Sequence, residues 1–176
     1  MANQRLTDKT ALTEQAGSGD LLMVVDVSDT TGSSAGTSKK TDFKYVIQTD
    51  KISVSNVEAK SLDSSPKTLV GALSGYMITV FNVTIITTYA SATESSNANL
   101  LLGYDPSQTT QYYDTAGRFM GSQTSSNCYM FGGNQATHGV KGSSIINTAF
   151  SMWSNTSFNG GWSAEVYVTY AYTKVL

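Results

Sequence analysis

The chain reads as all-β: an antiparallel β-sandwich, jelly-roll-like, preceded by an extended N-terminal segment. Three observations predict this. First, Ser and Thr account for 47 of the 176 residues, while charged residues make up only 14%. That composition suits the wet faces of antiparallel sheets, not long helices rich in Glu and Lys. Second, apolar and polar residues alternate in strand-length runs, most clearly near the C-terminus. Third, Gly, Asn and Ser clusters separate those runs, with no regular helical spacing and no fixed-period repeat.

Thr7 to Gln15 has helical spacing only at Leu6 and Leu12, so a turn or loop is expected there. Leu21 to Val27 is apolar at Leu21, Leu22, Met23, Val24, Val25 and Val27, broken only by Asp26. This is the pattern of a buried strand. The small-polar stretch Ser28 to Ser38 is a turn. Lys39 to Val46 can then pair back, with Phe43 and Tyr45 on one face. Ile52 to Val54 and Lys67 to Ala72 are further strands. Met77 to Tyr89 is the longest. It places Met77, Thr79, Phe81, Val83, Ile85, Thr87 and Tyr89 on one face and Ile78, Val80, Asn82, Thr84, Ile86 and Thr88 on the other. Both faces are partly apolar, which predicts a central position.

Asn99 to Tyr104 follows the polar loop Ser91 to Ala98. Asp105 to Asn127 has little periodicity and predicts short strands between loops. Cys128 to Phe131 and Ser144 to Trp153 are strands, parted by the Gly-rich segment Gly132 to Gly142. Asn159-Gly160-Gly161 is a turn signal. The last strand alternates Ala164, Val166, Val168, Tyr170 and Tyr172 on the inside with Glu165, Tyr167, Thr169 and Thr173 on the outside.

Residues 1–60 carry 15 of the 24 charged side chains, whereas residues 61–176 hold 16 of the 18 aromatics. The composition therefore divides the chain near Thr49 to Ser65. Residues 1–50 form an extended, adaptable segment and residues 51–176 the folded sandwich. The net charge of −2 gives no electrostatic case for nucleic acid or an anionic membrane. No apolar run is long enough to span a bilayer. Met1 to Thr10 holds Arg5, Asp8 and Lys9 and no apolar core, so no signal peptide is expected, and synthesis in a cytoplasm without export is.

Little chemistry is expected. Cys128, the single cysteine, supports neither an intrachain disulfide nor a zinc cluster and is expected to be buried and inert. His138 reads as a loop histidine. Asp63, Glu94, Asp105 and Asp114 fall in loops and are expected to be solvated, and Glu165 starts the last strand. They make no pair suited to glycosidic hydrolysis. Asp20, Asp26 and Asp29 lack the ligand density of a calcium loop. Asp20 and Asp29 read as turn formers. Asp26 points to solvent or pairs with Lys39 or Lys40. Gly17-Ser18-Gly19 and Gly132-Gly133 are turns, not phosphate loops. No catalytic residue, cofactor or metal is expected.

Two parts of the chain resemble a known class. Gly19-Asp20-Leu21-Leu22-Met23-Val24-Val25-Asp26-Val27-Ser28-Asp29-Thr30-Thr31-Gly32, with Gly36-Thr37-Ser38-Lys39-Lys40, resembles a cassette near the N-terminus of tailed-bacteriophage virion proteins. There it precedes a fibre or decoration domain. Ser65-Pro66-Lys67-Thr68-Leu69-Val70, Asn99-Leu100-Leu101-Leu102-Gly103-Tyr104 and Val166-Tyr167-Val168-Thr169-Tyr170 resemble a β-sandwich of phage virion proteins. Position 65 is Ser where Thr is usual, and Asp105 to Gly142 matches nothing in that pattern.

The resemblance implies a structural protein of head-fibre, capsid-decoration or tail-appendage type. It would be commonly a homotrimer, made in the bacterial host's cytoplasm and resident in the virion. Abundant aromatics with few charges also suit an interface. On this reading Leu21, Leu22, Met23, Val24, Val25 and Val27 anchor the chain to the major capsid protein or another virion protein. Neither nucleic acid nor membrane insertion is implied. The alternative is a tail-appendage tip binding host-surface carbohydrate or another receptor, with Tyr112, Tyr113, Tyr129 and Trp162 stacking on sugar rings.

Overall fold

The structure is a computed structural model that describes residues 21–42, 46–104, 111–114, 119–132 and 145–175. The chain divides between residues 45 and 46 into two compact units. The first holds a two-stranded antiparallel hairpin, β1 (Leu21–Asp26) and β2 (Thr37–Asp42). The expected return strand starts earlier, at Thr37. Phe43 and Tyr45 lie outside the described residues, as does the stretch from Thr7 to Gln15.

The second unit contains eight described strands and one short helix. They are β3 (Gln48–Val54), α1 (Asn56–Lys60), β4 (Lys67–Val70), β5 (Tyr76–Tyr89), β6 (Leu100–Gly103), β7 (Gln111–Asp114), β8 (Cys128–Gly132), β9 (Phe150–Ser154) and β10 (Trp162–Lys174). The sheets run β3-β10-β5-β8 and β4-β9-β6-β7, with every pairing antiparallel. The pairings β3 with β10, β4 with β9, β5 with β8 and β6 with β7 are nested. The first half of the unit thus pairs, strand by strand, with the second half read backwards. Two further ladders, β5 with β10 and β6 with β9, roll this long double strand into two sheets. That is jelly-roll topology. Residues 48–50, grouped by composition with the first segment, are part of β3.

One core lies between the sheets. Val54, Val80, Val83, Ile85, Val166 and Val168 come from one sheet, and Leu69, Val70, Leu100, Leu102, Phe150 and Met152 from the other. Two hydroxyls tie the layers. Tyr104 Oη donates to the Ile78 carbonyl at 2.6 Å, and Tyr172 Oη to the Gly71 carbonyl at 2.7 Å. Phe119, Phe158 and Trp162 close one end of the core with edge-on ring contacts of 5.0 to 6.0 Å.

Three local features depart from the sequence reading. α1 is a helix where none is expected. Ser55 caps it and Glu58 returns the bond to the Ser55 N–H, a capping box. The strand expected over Ser144 to Trp153 begins only at Phe150, and Ile146 makes a single bridge to Met77. In β5 the strict alternation fails. Asn82 pairs with Thr169 but Val80 pairs with Tyr170, so Phe81 is an extra, bulged residue. Ile78 and Val80 point inward before the bulge, Val83, Ile85 and Thr87 after it. Neither expected face survives intact.

In β10 the expected alternation is present. Val166 and Val168 have no exposed surface, and Tyr170 has 3%. Thr169 instead shares a hydroxyl–hydroxyl bond of 2.9 Å with Thr49. Val168→Ala is expected to cost about 1–3 kcal/mol by leaving a cavity, and Thr169→Ala well under about 1 kcal/mol. Urea midpoints of the two variants check the orientation; equal losses would contradict it.

Candidate functional site

The hairpin joins two unlike strands. β1 places Leu21, Met23 and Val25 on one face and Leu22 and Val24 on the other. β2 is Thr-Ser-Lys-Lys-Thr-Asp, without an apolar side chain. All six residues expected to anchor the chain are exposed: Leu21 56%, Leu22 36%, Met23 63%, Val24 42%, Val25 57% and Val27 75%. Leu21 to Met23, with Ser38 to Lys40, line a shallow open depression.

The turn that joins the strands is internally satisfied. Asp26 Oδ1 accepts from the Ser28 N–H at 3.1 Å and its hydroxyl at 2.6 Å. Asp29 Oδ1 accepts from the Thr31 N–H at 3.0 Å and its hydroxyl at 2.7 Å. These are Asx turns. Lys39 Nζ reaches both carboxylates, at 2.8 and 2.9 Å. Lys39, not Lys40, is therefore the partner of Asp26. The Lys39 ammonium and the Ser28 donors hold the Asp26 carboxyl well below the usual range. The Thr31 hydroxyl and Lys39 bring Asp29 down to about 2. These groups are solvated, so the cluster fixes turn geometry more than it adds stability. Gly36 has φ +112°, and an added Cβ would sit 2.7 Å from the Asp26 carbonyl. The turn requires glycine there.

The sandwich contains one carboxylate that sequence reasoning misplaced. Glu94, expected in solvent, is 1% exposed. Its Oε1 accepts from the Ser96 N–H at 2.9 Å. Its Oε2 accepts from the Gly160 N–H at 2.8 Å and the Trp162 indole N–H at 3.1 Å. The Asn159 N–H lies 3.2 Å from both oxygens. The Glu94 backbone carbonyl accepts from the Ser122 N–H at 3.0 Å. A Cβ on Gly160 would lie 2.9 Å from Oε2, so glycine lets the chain approach this closely.

Burial pushes the Glu94 carboxyl up, but the bonds from Ser96, Gly160 and Trp162 outweigh it and the net shift is downward. A general acid needs the opposite shift. Glu94 is a fastener for three chain segments.

Asp114, expected in a loop, is the last residue of β7, and two further carboxylates are engaged on the surface. Asp63 accepts from the Ser157 hydroxyl at 2.6 Å, and Glu165 pairs with Lys51 at 3.2 Å. Among the described residues, no three His, Cys, Asp or Glu side chains gather into a metal site, and no helix is long and apolar enough to cross a membrane. Asp20, Asp105, His138 and the Gly17-Ser18-Gly19 turn lie outside the described residues. Cys128 is exposed rather than buried, because it sits on the outward face of an edge strand.

Of the four proposed sugar-stacking aromatics, the side chains of Tyr129 and Trp162 are described. Trp162 is 1% exposed inside the core, so it offers no face to a sugar ring. The sequence places an aromatic beside a Gly-Gly turn but cannot reveal that Glu94 holds its indole N–H. Tyr129 is half-buried against Phe119, with its hydroxyl 3.3 Å from Met120 Sδ. Tyr112 and Tyr113 lie in β7, and their side chains fall outside the described atoms.

No protein-family profile matches the chain, and no curated protein matches it. Among solved structures, one chain described as "Cyanophage Pam1 capsid asymmetric unit" aligns over 97% of this chain and 98% of its own. The identity is 15% and the TM-score 0.41.

Glu94→Gln should destabilise the sandwich by about 2–4 kcal/mol at pH 7, since an amide nitrogen then meets backbone donors. The pH dependence has a definite sign. The folded value lies below the ordinary 4.5, so the contribution is complete above about pH 4.5 and is lost as pH falls through the folded value. Denaturation midpoints of wild type and Glu94→Gln should therefore converge in acid. A gap that stays constant down to pH 2 would contradict the assignment.

Proposed function

We propose that this chain is a non-enzymatic structural protein of a bacteriophage virion. Its N-terminal segment attaches to the capsid or another virion protein, and the jelly roll projects as a homotrimer. The chain is made in the host bacterial cytoplasm and resides in the particle. The observation that carries this reading is the exposure of every apolar side chain of β1, together with Val27, on a hairpin whose turn is already ordered. Soluble monomers rarely leave so continuous an apolar surface in water unless it binds something.

Burying what these six side chains expose is worth roughly 5–9 kcal/mol before ordering costs. Asp26, Asp29 and Lys39 fix the turn, so the ordering cost falls on the two strands, which are marginal as an isolated hairpin. β1 has β2 on one edge and, among the described residues, no strand on the other. Its free backbone edge can therefore add to a partner's sheet. The resemblance of residues 19–40 to the phage cassette points to a virion protein as that partner.

Leu22→Asp and Val24→Asp each place a carboxylate in the buried interface, at a cost of several kcal/mol, roughly. Each should reduce co-sedimentation with particles and leave the denaturation midpoint of the sandwich unchanged. A variant that unfolds throughout would show that the hairpin belongs to the core. Hydrogen exchange offers a second check. Amides of Leu21 to Val27 should exchange fast in the free chain and slowly on the particle. Slow exchange in the free chain would contradict the docking role.

A further inference from the structure

The turn Asn159-Gly160-Gly161 holds the one Asn-Gly pair in the sequence. Asn-Gly is chemically labile, because glycine has no side chain to shield its nitrogen from the preceding carboxamide. In the reaction open to this pair, the Gly160 nitrogen attacks Asn159 Cγ. An N–Cγ bond forms and the Cγ–Nδ2 bond breaks. The Gly160 N–H proton ends on the departing nitrogen, which leaves as ammonia. Water then opens the cyclic imide to aspartate or isoaspartate. Asn159 is exposed, so water reaches it and burial does not protect it.

The nucleophile is restrained. The Gly160 N–H donates to Glu94 Oε2 at 2.8 Å, and the Gly160 carbonyl accepts from Asn56 Nδ2 at 2.9 Å. The Gly161 N–H donates to the Ala92 carbonyl at 2.7 Å, and the Gly161 carbonyl accepts from the Ala90 N–H at 2.8 Å. Attack requires the Gly160 nitrogen to lose its proton. The ionised Glu94 carboxylate against that N–H disfavours a second negative charge there, and the fastened turn keeps the nitrogen in place. The electrophile is in the opposite state. Asn159 Oδ1 accepts from the Ser95 N–H at 3.0 Å and the Ser96 N–H at 3.2 Å. Two such donors stabilise the charge that builds on this oxygen during attack. The carboxamide is therefore activated while the nitrogen is withheld.

We infer that Asn159-Gly160 is a self-modification site that Glu94 holds shut and that forms the imide when the Glu94 bonds open. The step is one-way. The Ser96 N–H is shared between Glu94 Oε1, at 2.9 Å, and Asn159 Oδ1, at 3.2 Å, so these two oxygens are neighbours. Conversion of Asn159 to aspartate sets a second carboxylate beside Glu94, and like charges at that range repel. Isoaspartate also lengthens the main chain by one carbon and carries the Gly160 N–H away from Oε2. A chain that has opened and reacted cannot refasten the segments that Glu94 joins.

Peptide mapping by mass spectrometry, after incubation of the full chain in mildly alkaline buffer, tests this. Residue 159 of the native wild type should stay asparagine. In urea it should convert at least about tenfold faster, since the rate follows the open fraction. Native Glu94→Gln should also convert about tenfold faster than native wild type. Val168→Ala, which weakens the core away from the turn, should convert at the wild-type rate because the opening is local. Should Glu94→Gln fail to fold, hydrogen exchange on the wild type supplies the same answer. The ratio of native to urea conversion should match the open fraction at the Gly160 amide, not the smaller one at Val168. Asn159→Asp should lower the denaturation midpoint at pH 7 and approach the wild-type value in acid, where both carboxylates are protonated. Native conversion as fast as in urea, equal rates for Glu94→Gln and Val168→Ala, or conversion that tracks exchange at Val168 would overturn the lock. An unchanged midpoint for Asn159→Asp would overturn the one-way step.

Discussion

The fold depends on the position of β10. It lies between β3, the first strand of the sandwich, and β5, so the last strand of the chain completes the sheet begun by the first. Its β3 partners are more than 100 residues away in sequence, as with Thr49 and Thr169 or Asp50 and Tyr170. Until β10 arrives, β3 lacks its described sheet neighbour and β5 has only β8 beside it. Val166 and Val168 complete the core from this strand, and Tyr170 carries the ladder to its buried end. There its hydroxyl donates to Asp50 at 2.8 Å and Gln48 at 3.2 Å. A topology built on such distant pairings folds slowly for its size, and its first half is exposed until the second half exists.

Glu94 does for the loops what β10 does for the strands. The segments around Ser96, Ser122 and Gly160 come from three separate connections. Their only pairing among the described residues is an isolated bridge between Glu94 and Gly121, and the backbone at Met120 and Ser122 takes φ of 61° and 62°. The Glu94 carboxylate joins the Ser96 and Gly160 segments, and its backbone holds the third through the Ser122 N–H and a bridge to Gly121. Four N–H groups that burial would leave unpaired are satisfied at once, and in the low-dielectric interior such charge-assisted bonds outweigh the desolvation of one carboxylate. The Trp162 indole is part of this bargain, which is why its ring belongs to the core and not to a binding surface.

What the sequence revealed, and what it hid, follows from how far each feature depends on distant residues. β10 was legible because alternation alone decides which side chains enter a one-sided core. The hairpin was legible because Leu21 to Val27 is apolar beyond what its polar return strand can cover. The jelly-roll class followed from strand number and spacing. β5 was misread because a single bulged residue, Phe81, exchanges its faces, and nothing local marks that insertion. α1 was overlooked although Ser55 and Glu58 stand at capping-box spacing; five residues are too few for a helical period to show. Glu94 was misplaced because loop carboxylates are ordinarily wet, and only the fold brings Asn159, Gly160 and Trp162 to it. Cys128 was misplaced because a small thiol ordinarily behaves as a core residue, whereas an edge strand turns it outward.

The chain also contains its own standard for reading β1. β6, Leu100-Leu101-Leu102-Gly103, and β9, Phe150-Ser151-Met152-Trp153-Ser154, have near-continuous apolar sequences, and every position in both is buried. Leu101 and Trp153 pair across these strands. They are 3% and 4% exposed although they alternate with the core-facing Leu100, Leu102 and Met152. β6 and β9 are thus covered on both faces. β1 has the same pattern, Leu-Leu-Met-Val-Val, and is exposed along its length. A surface that docked flat would bury one face and leave the other wet. Under the proposed docking role, a partner matching β1 would take it as an interior strand, with apolar side chains above and below and a sheet edge beside it. β2, polar throughout and tied to the turn by Lys39, remains as the outer margin.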